Sequence, residues 1–552
     1  MNKIRFFLFF TVCFFCFVAK AQNSAVKKSA DAVFTLTTYK ADGSILKTSN
    51  GVFISTDGTA ISPWYPFNGA DHAIIIDSKG IRYDVEVLLG ANEIYDLAKF
   101  RIKGKATAQV PLLPTIQSKG TSVWIIPNRK SDNPQKANVT NVETFMDKYA
   151  YYILSSTANE MLSGCPVVDD NGHLLGLFNT SSTIQSVTDA HYAQDFKLTG
   201  LSQNDPTMRQ SQIRIAIPDD LQQAQLALML ARERGEADYE STINDFIQQF
   251  PSSTDGYYAK ALLKANQKDY SAAENSMQQA LQKASSKEEA HYNYARLALS
   301  ISEQEETIEE KSKQTDKALE QIHKAYRLSP QPQYQQLEAQ ILFVKGGYQQ
   351  AYELFIALTK SPIRNGELFY EAALAREQLN GTNEEIYALL DSAVCACDTP
   401  YTAIAAPYIL ARALQRDKMA DYRNAMLDFF RYEALMYGRL SADFYFMRGQ
   451  SEMRGKIFQP ALNDLAHAVM LDPNNTLYWA ELASANLRVG QRKEAIMAAQ
   501  HCLDLDSEQA DALLILGISQ AEDGEKKEGL KNIQRAKELG NEQADKFLNK
   551  FK

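Results

Sequence analysis

The residue types best suited to chemistry in this chain are its six cysteines and seven histidines, so their spacing is informative. Cys395 and Cys397 lie two residues apart in a helical pattern, which would point their side chains away from each other. The sequence has no C-x-x-C pair and no histidine and cysteine cluster with the spacing of a zinc site. It also has no phosphate loop, calcium loop or metal-binding helix. The pattern therefore predicts buried free thiols, with neither a metal nor a cofactor.

Four segments in the first part of the chain follow one another in a familiar order. Residues 51–65 read GVFISTDGTAISPWY, 95–100 read YDLAKF, 163–176 read SGCPVVDDNGHLLG and 213–218 read IRIAIP. The order and spacing resemble those of the trypsin-like (chymotrypsin-fold) serine proteases, and most closely the Deg-type enzymes of the bacterial envelope. In that family the first three segments read G-x-x-I-x-x-D-G-x-I-x-T-x-x-H, D-L-A-x-x-x-I and G-N-S-G-G-P-L-x-x-x-x-G. The resemblance covers residues 26–232 and implies an all-β double barrel.

The resemblance also implies the positions of the catalytic residues. It places Ser163 at the nucleophile and Asp96 at the carboxylate that orients the base, whereas Tyr65 stands where the family has its histidine. A serine hydroxyl is a poor nucleophile until a neighbouring base with a pKa near 7 takes its proton. A phenol with an ordinary pKa of about 10 is protonated at neutral pH and cannot do this. Three other histidines occur in this part of the chain, and none is placed to substitute: His72, His173 and His191.

The loop before Ser163 also departs from the family pattern. Met161 and Leu162 replace a Gly-Asn pair whose glycine supplies an oxyanion-hole amide in the family. Cys165 replaces the second glycine after the serine, and no histidine is placed to raise its thiolate fraction as a substitute nucleophile. Ser163 and Asp96 are therefore interpreted as structural remnants, with a residual hydrolase as the alternative.

The elements that would position these residues are short strands. From about Ala25 to Pro218 the sequence has many turn residues between runs rich in Val, Ile, Thr and Tyr. The clearest runs are residues 32–37, 73–76, 122–126 and 174–178. This pattern alone indicates an all-β barrel or sandwich, and the resemblance narrows it to a double barrel.

From about Asp219 onward, Ala, Leu, Glu, Gln and Lys dominate, with apolar residues at helical spacing. Large and small residues recur there with a period of 34, at Tyr445, Trp479 and Leu513, at Gly449, Ala483 and Gly517, at Ala461, Ala495 and Gly529, and at Ala468, Cys502 and Ala536. This period resembles that of tetratricopeptide repeats, in which helix pairs cross closely at small residues. We therefore expect an all-α solenoid of about eight units over residues 233–552, interrupted by an insert near residues 303–315. A non-repetitive helical bundle is the alternative. The family generally uses the concave face of such an array to bind proteins or peptides.

The N-terminus is typical of an export signal. Lys3 and Arg5 precede an apolar run over residues 6–18, which is followed by Ala19-Lys20-Ala21. Cleavage after Ala21 would remove residues 1–21 and change the formal net charge from −9 to −12, because that segment holds three basic and no acidic residues. A lipid anchor on Cys13 or Cys16 is the alternative, although neither cysteine follows a lipobox. The prediction is an exported protein of the periplasm or cell envelope.

Composition excludes several classes of protein. Hydrophobic residues make up 45% and charged residues 23%, which is typical of globular domains, and the mean hydropathy of −0.33 argues against a polytopic membrane protein. The net negative charge gives no general attraction to nucleic acid.

Together these features predict an exported, catalytically inactive serine-protease homologue that acts as a protein-binding scaffold through its repeats. One alternative is an active serine endopeptidase of the cell envelope whose repeats recruit substrates. The other is an assembly factor whose barrels contribute only a surface.

Overall fold

The structure, a computed structural model, describes residues 24–128, 132–156, 160–180 and 184–551. The predicted export signal over residues 1–21, with Cys13 and Cys16, lies outside the described residues. The chain divides into two compact units, the first ending at Ser286 and the second beginning at Lys287. No helix within the described ranges combines the length and the apolar composition needed to cross a membrane.

The first unit begins with a closed antiparallel barrel of six strands in the order β1-β2-β3-β6-β5-β4. Pairing of β4 with β1 closes it, with Leu36 opposite Ile75. The six strands are β1 (Val33–Tyr39), β2 (Ile45–Phe53), β3 (Thr59–Ser62), β4 (His72–Asp77), β5 (Arg82–Asn92) and β6 (Leu97–Ile102).

A second closed barrel follows, with the strand order β10-β11-β12-β9-β8-β7. Pairing of β10 with β7 closes it, with Val167 opposite Ile125. Its strands are β7 (Ser122–Ile125), β8 (Gln135–Phe145), β9 (Tyr149–Leu154), β10 (Pro166–Val168), β11 (Leu174–Thr180) and β12 (Gln185–Asp189). The two barrels confirm the predicted all-β double barrel, and the four predicted strand runs correspond to β1, β4, β7 and β11.

Large aromatic side chains fill the first barrel. The rings of Phe34 and Phe53 lie 4.9 Å apart and those of Phe67 and Phe100 lie 5.3 Å apart, and all four side chains are fully buried. Strands in which alternate residues face such a core gain most of their stability from this burial. The segment 213–218 lies beside β5, because Leu88 donates its N–H to the carbonyl of Arg214 and accepts from Ala216.

Four helices complete the first unit: α1 (Leu221–Ala231), α2 (Glu236–Gln249), α3 (Asp255–Asn266) and α4 (Tyr270–Lys283). Asp220 caps α1 by accepting a hydrogen bond from the Gln223 N–H. The division between units at Ser286 therefore lies beyond the sequence-based domain boundary at residues 232 and 233, which stays a prediction.

The second unit is entirely helical within the described residues. Its helices pack against their neighbours in chain order, as in an α-solenoid. They are α5 (Lys287–Gln304), α6 (Ile308–Leu328), α7 (Pro332–Val344), α8 (Tyr348–Leu358), α9 (Gly366–Gln378), α10 (Asn383–Cys395), α11 (Ala406–Lys418), α12 (Tyr422–Leu435), α13 (Ala442–Arg454), α14 (Phe458–Leu471), α15 (Thr476–Arg488), α16 (Arg492–Leu505), α17 (Ala510–Glu522), α18 (Lys526–Glu538) and α19 (Ala544–Phe551).

The insert expected near residues 303–315 does not interrupt the array. Most of it extends two helices, because α5 continues to Gln304 and α6 begins at Ile308. Thr307 caps α6, and Glu309 and Glu310 lie in its first turn, where negative charge is favourable. Charged residues that looked like an interruption in the sequence therefore begin a helix.

The 34-residue period is visible in the helix positions. The first helices of three successive pairs, α13, α15 and α17, begin at Ala442, Thr476 and Ala510, which are 34 residues apart. In the last pair, α17 and α18 cross at two buried glycines. A Cβ on Gly517 would lie 2.6 Å from the Gly529 carbonyl oxygen, and one on Gly529 would lie 2.5 Å from the Gly517 oxygen. Only glycine permits this crossing.

Two neighbouring helix pairs each hold a buried ion pair at an equivalent position. Arg412 of α11 binds both carboxylate oxygens of Asp428 in α12, at 2.9 and 2.8 Å. Thirty-six residues later, Arg448 of α13 binds both oxygens of Asp464 in α14. All four side chains are buried, so loss of one partner would leave an uncompensated charge.

Glu452 of α13 adds a third carboxyl to the second of these sites. Its side chain is only 2% exposed, and its Oε2 has no hydrogen-bond partner among the described residues. Burial, together with the negative charge of Asp464, raises the pKa of Glu452 to about 8, although Arg448 opposes the shift. The folded state therefore favours the protonated form of this carboxyl.

Replacement of Gly529 by alanine should destabilise the protein by about 2 kcal/mol, because the added methyl group overpacks the α17–α18 crossing. Urea unfolding monitored by circular dichroism measures the change. Alanine is otherwise the better helix former by about 1 kcal/mol, so the expected sign is opposite to intrinsic propensity. The control is Lys527→Ala on the exposed part of α18, which should be neutral or slightly stabilising. A stabilised Gly529→Ala variant would contradict the close crossing.

Replacement of Glu452 by glutamine should stabilise the protein above neutral pH. The pKa of Glu452 is raised on folding, so its contribution to stability is fully present below about pH 4.5 and falls as the pH rises toward 8. Glutamine removes this loss, and the variant should gain on the order of 2 kcal/mol at pH 8 and little at pH 4.5. Thermal unfolding across this pH range tests the prediction, with exposed Glu494→Gln as the control. Identical pH dependence in wild type and Glu452→Gln would contradict it.

Candidate functional site

A cleft of about 590 Å³ contains all three sequence-predicted site residues, Tyr65, Asp96 and Ser163. Tyr65 follows β3, Asp96 lies in the turn between β5 and β6, and Ser163 precedes β10. The other described residues that line the cleft are Ile94, Tyr95, Tyr151, Glu160, Asn179, Thr180 and Thr188. The fold thus brings together residues that are almost 100 positions apart in sequence.

Asp96 is held by backbone groups. Its Oδ1 accepts the N–H of Tyr65 at 2.7 Å, and the N–H of Trp64 also contributes a hydrogen bond. Its backbone is left-handed, with φ of 45°, in a turn where its N–H donates to the Glu93 carbonyl. Burial raises the pKa of Asp96, while the two N–H groups and the charge of Lys47 oppose the shift. This carboxylate therefore anchors the 64–65 segment through the main chain.

The phenol of Tyr65 bonds to a main-chain group of the first barrel. Its hydroxyl donates to the carbonyl of Thr48 at 3.2 Å. Lys47 lies over the ring, with its Nζ 5.2 Å from the centroid, and donates to the Tyr65 carbonyl at 3.3 Å. The side chain at the expected base position is thus fixed by contacts with β2.

In the loop that carries Ser163, a backbone N–H donates to a carbonyl of the same loop. Residues Glu160–Leu162 form a short 3₁₀ helix, and the Ser163 N–H donates to the Glu160 carbonyl at 2.9 Å. In an oxyanion hole the N–H of the nucleophile must point at the reacting carbonyl oxygen. Here that N–H is already bonded. Within the described part of the chain, the Ser163 hydroxyl makes no hydrogen bond.

Asn50 joins this loop to the first barrel. Its Nδ2 donates to the carbonyls of Met161 and Ser163, at 3.0 and 2.9 Å. Asn50 belongs to β2 and is buried, so the two bonds connect the first barrel to the Ser163 loop. They also hold the carbonyls on both sides of Leu162 in the observed turn.

The histidines considered from the sequence are bound elsewhere, and no described lining residue of the cleft is a histidine. His72 begins β4 and contacts Asp71, and His173 contacts Asp169. His191 lies in a 3₁₀ helix, with its Nδ1 2.7 Å from Asp189 and its Nε2 2.6 Å from the Leu113 carbonyl. The contacts with Asp189 raise the pKa of His191.

The cysteines and a metal site were the other candidates for chemistry. Cys165 is fully buried, and burial raises the pKa of its thiol to about 12, so it holds little thiolate at neutral pH. Cys165, Cys395, Cys397 and Cys502 are all free thiols, and Cys395 is exposed, contrary to the expectation of burial. Among the described residues, no cluster of three acidic, histidine or cysteine side chains could hold a metal ion.

Three residues that shape the cleft were missed from the sequence: Thr48, Asn50 and Glu160. Thr48 and Glu160 act through main-chain carbonyls, which leave no trace in residue type. Asn50 could have been noticed as a polar residue within the buried end of β2. The arrangement keeps Ser163 and Asp96 in one cleft, with no histidine among the described lining residues and with the Ser163 N–H bonded to the Glu160 carbonyl.

Comparisons with known proteins add a structural likeness. No protein-family model and no curated protein matches the chain. Among solved structures, the chain is similar to the crystal structure of the Rv3671c protease from M. tuberculosis in its active form. The alignment covers 32% of this chain and 84% of that chain, at 14% sequence identity and a TM-score of 0.28.

Proposed function

We propose that this chain is an exported, catalytically inactive serine-protease homologue that acts as a protein-binding scaffold. The observation that carries the first part is the state of the Ser163 loop, in which the amide needed for an oxyanion hole is bonded to the Glu160 carbonyl. A tyrosine at the base position, bonded to Thr48, supports the same conclusion.

Each of these two features removes a separate part of the catalytic chemistry. Without a base, the Ser163 proton has no acceptor when the hydroxyl attacks a carbonyl. Without the amide, negative charge on the tetrahedral intermediate loses a donor that is worth about 10²–10³ in rate. Restoring the base alone would therefore leave the second defect in place.

The alternative, an active serine endopeptidase of the cell envelope, is supported by one observation. Asp96 and Ser163 line the same cleft, and Asp96 still receives the main-chain N–H of the residue at the base position. A substrate that displaced the Glu160 carbonyl would free the Ser163 amide, so covalent labelling is the measurement that separates the two functions.

The scaffold role rests on the helices of the second unit, which we interpret as tetratricopeptide repeats. Helix pairs at 34-residue intervals, crossing at small residues, support this interpretation. Polar contacts link the first helices of successive pairs, as between Asp417 and Arg454 and between Gln450 and Glu481. These helices therefore form one continuous face, which we propose as the surface that binds a protein or peptide. In this proposal nucleic acid is not a partner, and neither a metal nor a cofactor is required.

Wild-type protein should not react with a fluorophosphonate probe at Ser163. Tyr65→His alone should also remain unlabelled, because the Ser163 N–H stays bonded to Glu160. Adding Met161→Gly and Leu162→Asn to Tyr65→His should raise labelling by about 10²–10³, as expected if an oxyanion-hole donor is restored. In-gel fluorescence of the full-length proteins measures the labelling.

Ser163→Ala in each background is the control for labelling elsewhere. Ser163-dependent labelling of the wild type would establish an active enzyme and refute the inactive assignment. Thermal unfolding of every variant shows whether an unlabelled protein is still folded.

A photo-crosslinking amino acid at Arg488, on the first helix α15, should capture a partner protein in cells. The same amino acid at Gln500, on the second helix α16 of that pair, should capture far less of it. Both positions are exposed and lie in one helix pair, so they form a matched comparison. Mass spectrometry of the crosslinked bands identifies the partner, and equal capture at both positions would contradict binding on the face of the first helices.

A further inference from the structure

A second cavity, of about 1030 Å³, lies on the outer side of the first barrel. It shares no described lining residue with the cleft that contains Ser163. Its walls come from β5 and β6, from residues 194–198, from the segment 216–220 and from α2. All of these elements belong to the first unit.

Lys99 of β6 is the unusual residue of this cavity. It is partly buried, and within the described residues its ammonium group makes no hydrogen bond and no ion pair. Burial lowers the pKa of Lys99, while the more distant charges of Asp57, Asp195 and Asp219 oppose the shift. A partly buried cation without a contacting partner is costly in a folded protein, so its retention calls for an explanation.

The carboxylates around the cavity do not supply that partner, because each one is bonded to another group. Asp57 accepts from the Thr59 N–H, Glu86 faces Arg101, Asp219 accepts from Gln249, Asp220 caps α1, and Asp245 pairs with Arg214. The cavity has more acidic than basic residues, yet its acidic groups are engaged and Lys99 is not.

Three further side chains that line the cavity carry uncommitted donors. Within the described residues, the side chains of Gln194, Lys197 and Gln248 make no hydrogen bond or ion pair. Apolar side chains also line the cavity, including Ile54, Leu89, Phe196 and Leu198. The cavity thus offers a ligand one partly buried cation in Lys99, an exposed cation in Lys197, two uncommitted amide groups and apolar surface.

We propose that this cavity binds the free C-terminal carboxylate of a peptide whose last residues are apolar, with Lys99 as the counter-ion. The peptide carboxylate supplies the negative partner that the Lys99 ammonium group lacks. The glutamine amides can pair with the peptide main chain, and the apolar side chains contact those of the peptide. A simple acyl carboxylate fits less well, because it has no main-chain groups to pair with the amides of Gln194 and Gln248.

The test measures binding of fluorescein-labelled pentapeptides to the full-length protein by fluorescence anisotropy. The probes end in Val-Leu or Leu-Phe and carry either a free carboxylate or a C-terminal amide. The free acids should bind, and the amides should bind about tenfold more weakly, which is a typical difference for one charge-assisted contact. Lys99→Gln should weaken binding of the acids by about tenfold and abolish the difference between acid and amide.

Lys103→Gln, at an exposed lysine just after β6, is the matched control and should bind as the wild type does. Thermal unfolding of Lys99→Gln and Lys99→Met should give a melting temperature equal to or above that of the wild type, since no native contact of the ammonium group is lost. Equal affinity for acid and amide, wild-type affinity in Lys99→Gln, or no peptide binding would overturn the proposal. Binding of decanoate in place of the peptides would also overturn it, in favour of an acyl ligand.

Discussion

Closure of the two six-stranded barrels is the constraint that fixes the cleft. Pairing of β1 with β4 and of β7 with β10 leaves neither barrel with a free edge, so the connections between strands must emerge at the barrel ends. Tyr65, Asp96 and Ser163 all lie in such connections. Asn50 then joins the barrels across the cleft through two main-chain carbonyls of the Ser163 loop. The positions of the cleft residues follow from hydrogen bonding of the main chain more than from any contact among their own side chains.

Much of this fold could be predicted because it depends on local patterns. Short runs rich in Val, Ile, Thr and Tyr between turn signals placed β1, β4, β7 and β11. The resemblance of four motifs to the serine proteases implied that Tyr65, Asp96 and Ser163 belong to one site, and all three line one cleft. The partner of the Ser163 N–H could not be predicted in the same way. Glu160 contributes only a carbonyl, and whether that carbonyl turns toward Ser163 depends on a short 3₁₀ helix that Met161 tolerates. The cavity around Lys99 was equally hidden, since β6, residues 194–198 and α2 are distant in sequence.

In the helical array, the helix crossings could be predicted from residue type, whereas the buried ion pairs could not. Small residues at 34-residue intervals marked the helix crossings, because close approach excludes large side chains there. The ion pairs Arg412–Asp428 and Arg448–Asp464 were missed because their period is 36, set by the longer spacing between the pairs that begin at Ala406 and Ala442. Glu452 was missed for a different reason. A glutamate in a helix normally indicates exposure, and only the neighbouring Arg448 and Asp464 explain why this one is buried.

The cleft and the Lys99 cavity differ in whether a key polar group has a hydrogen-bond partner. A catalytic serine loop must keep its oxyanion donors available, which costs about 1–3 kcal/mol for each buried donor left without a partner. The Ser163 N–H avoids that cost by bonding to the Glu160 carbonyl. Lys99 is in the opposite state, with its charge partly buried and its neighbours engaged elsewhere. Groups that are kept unsatisfied against this cost are typical of binding sites. By this criterion, the unpartnered ammonium group of Lys99 supports the ligand site that we propose in the first unit, and the bonded N–H of Ser163 supports the proposed absence of catalysis.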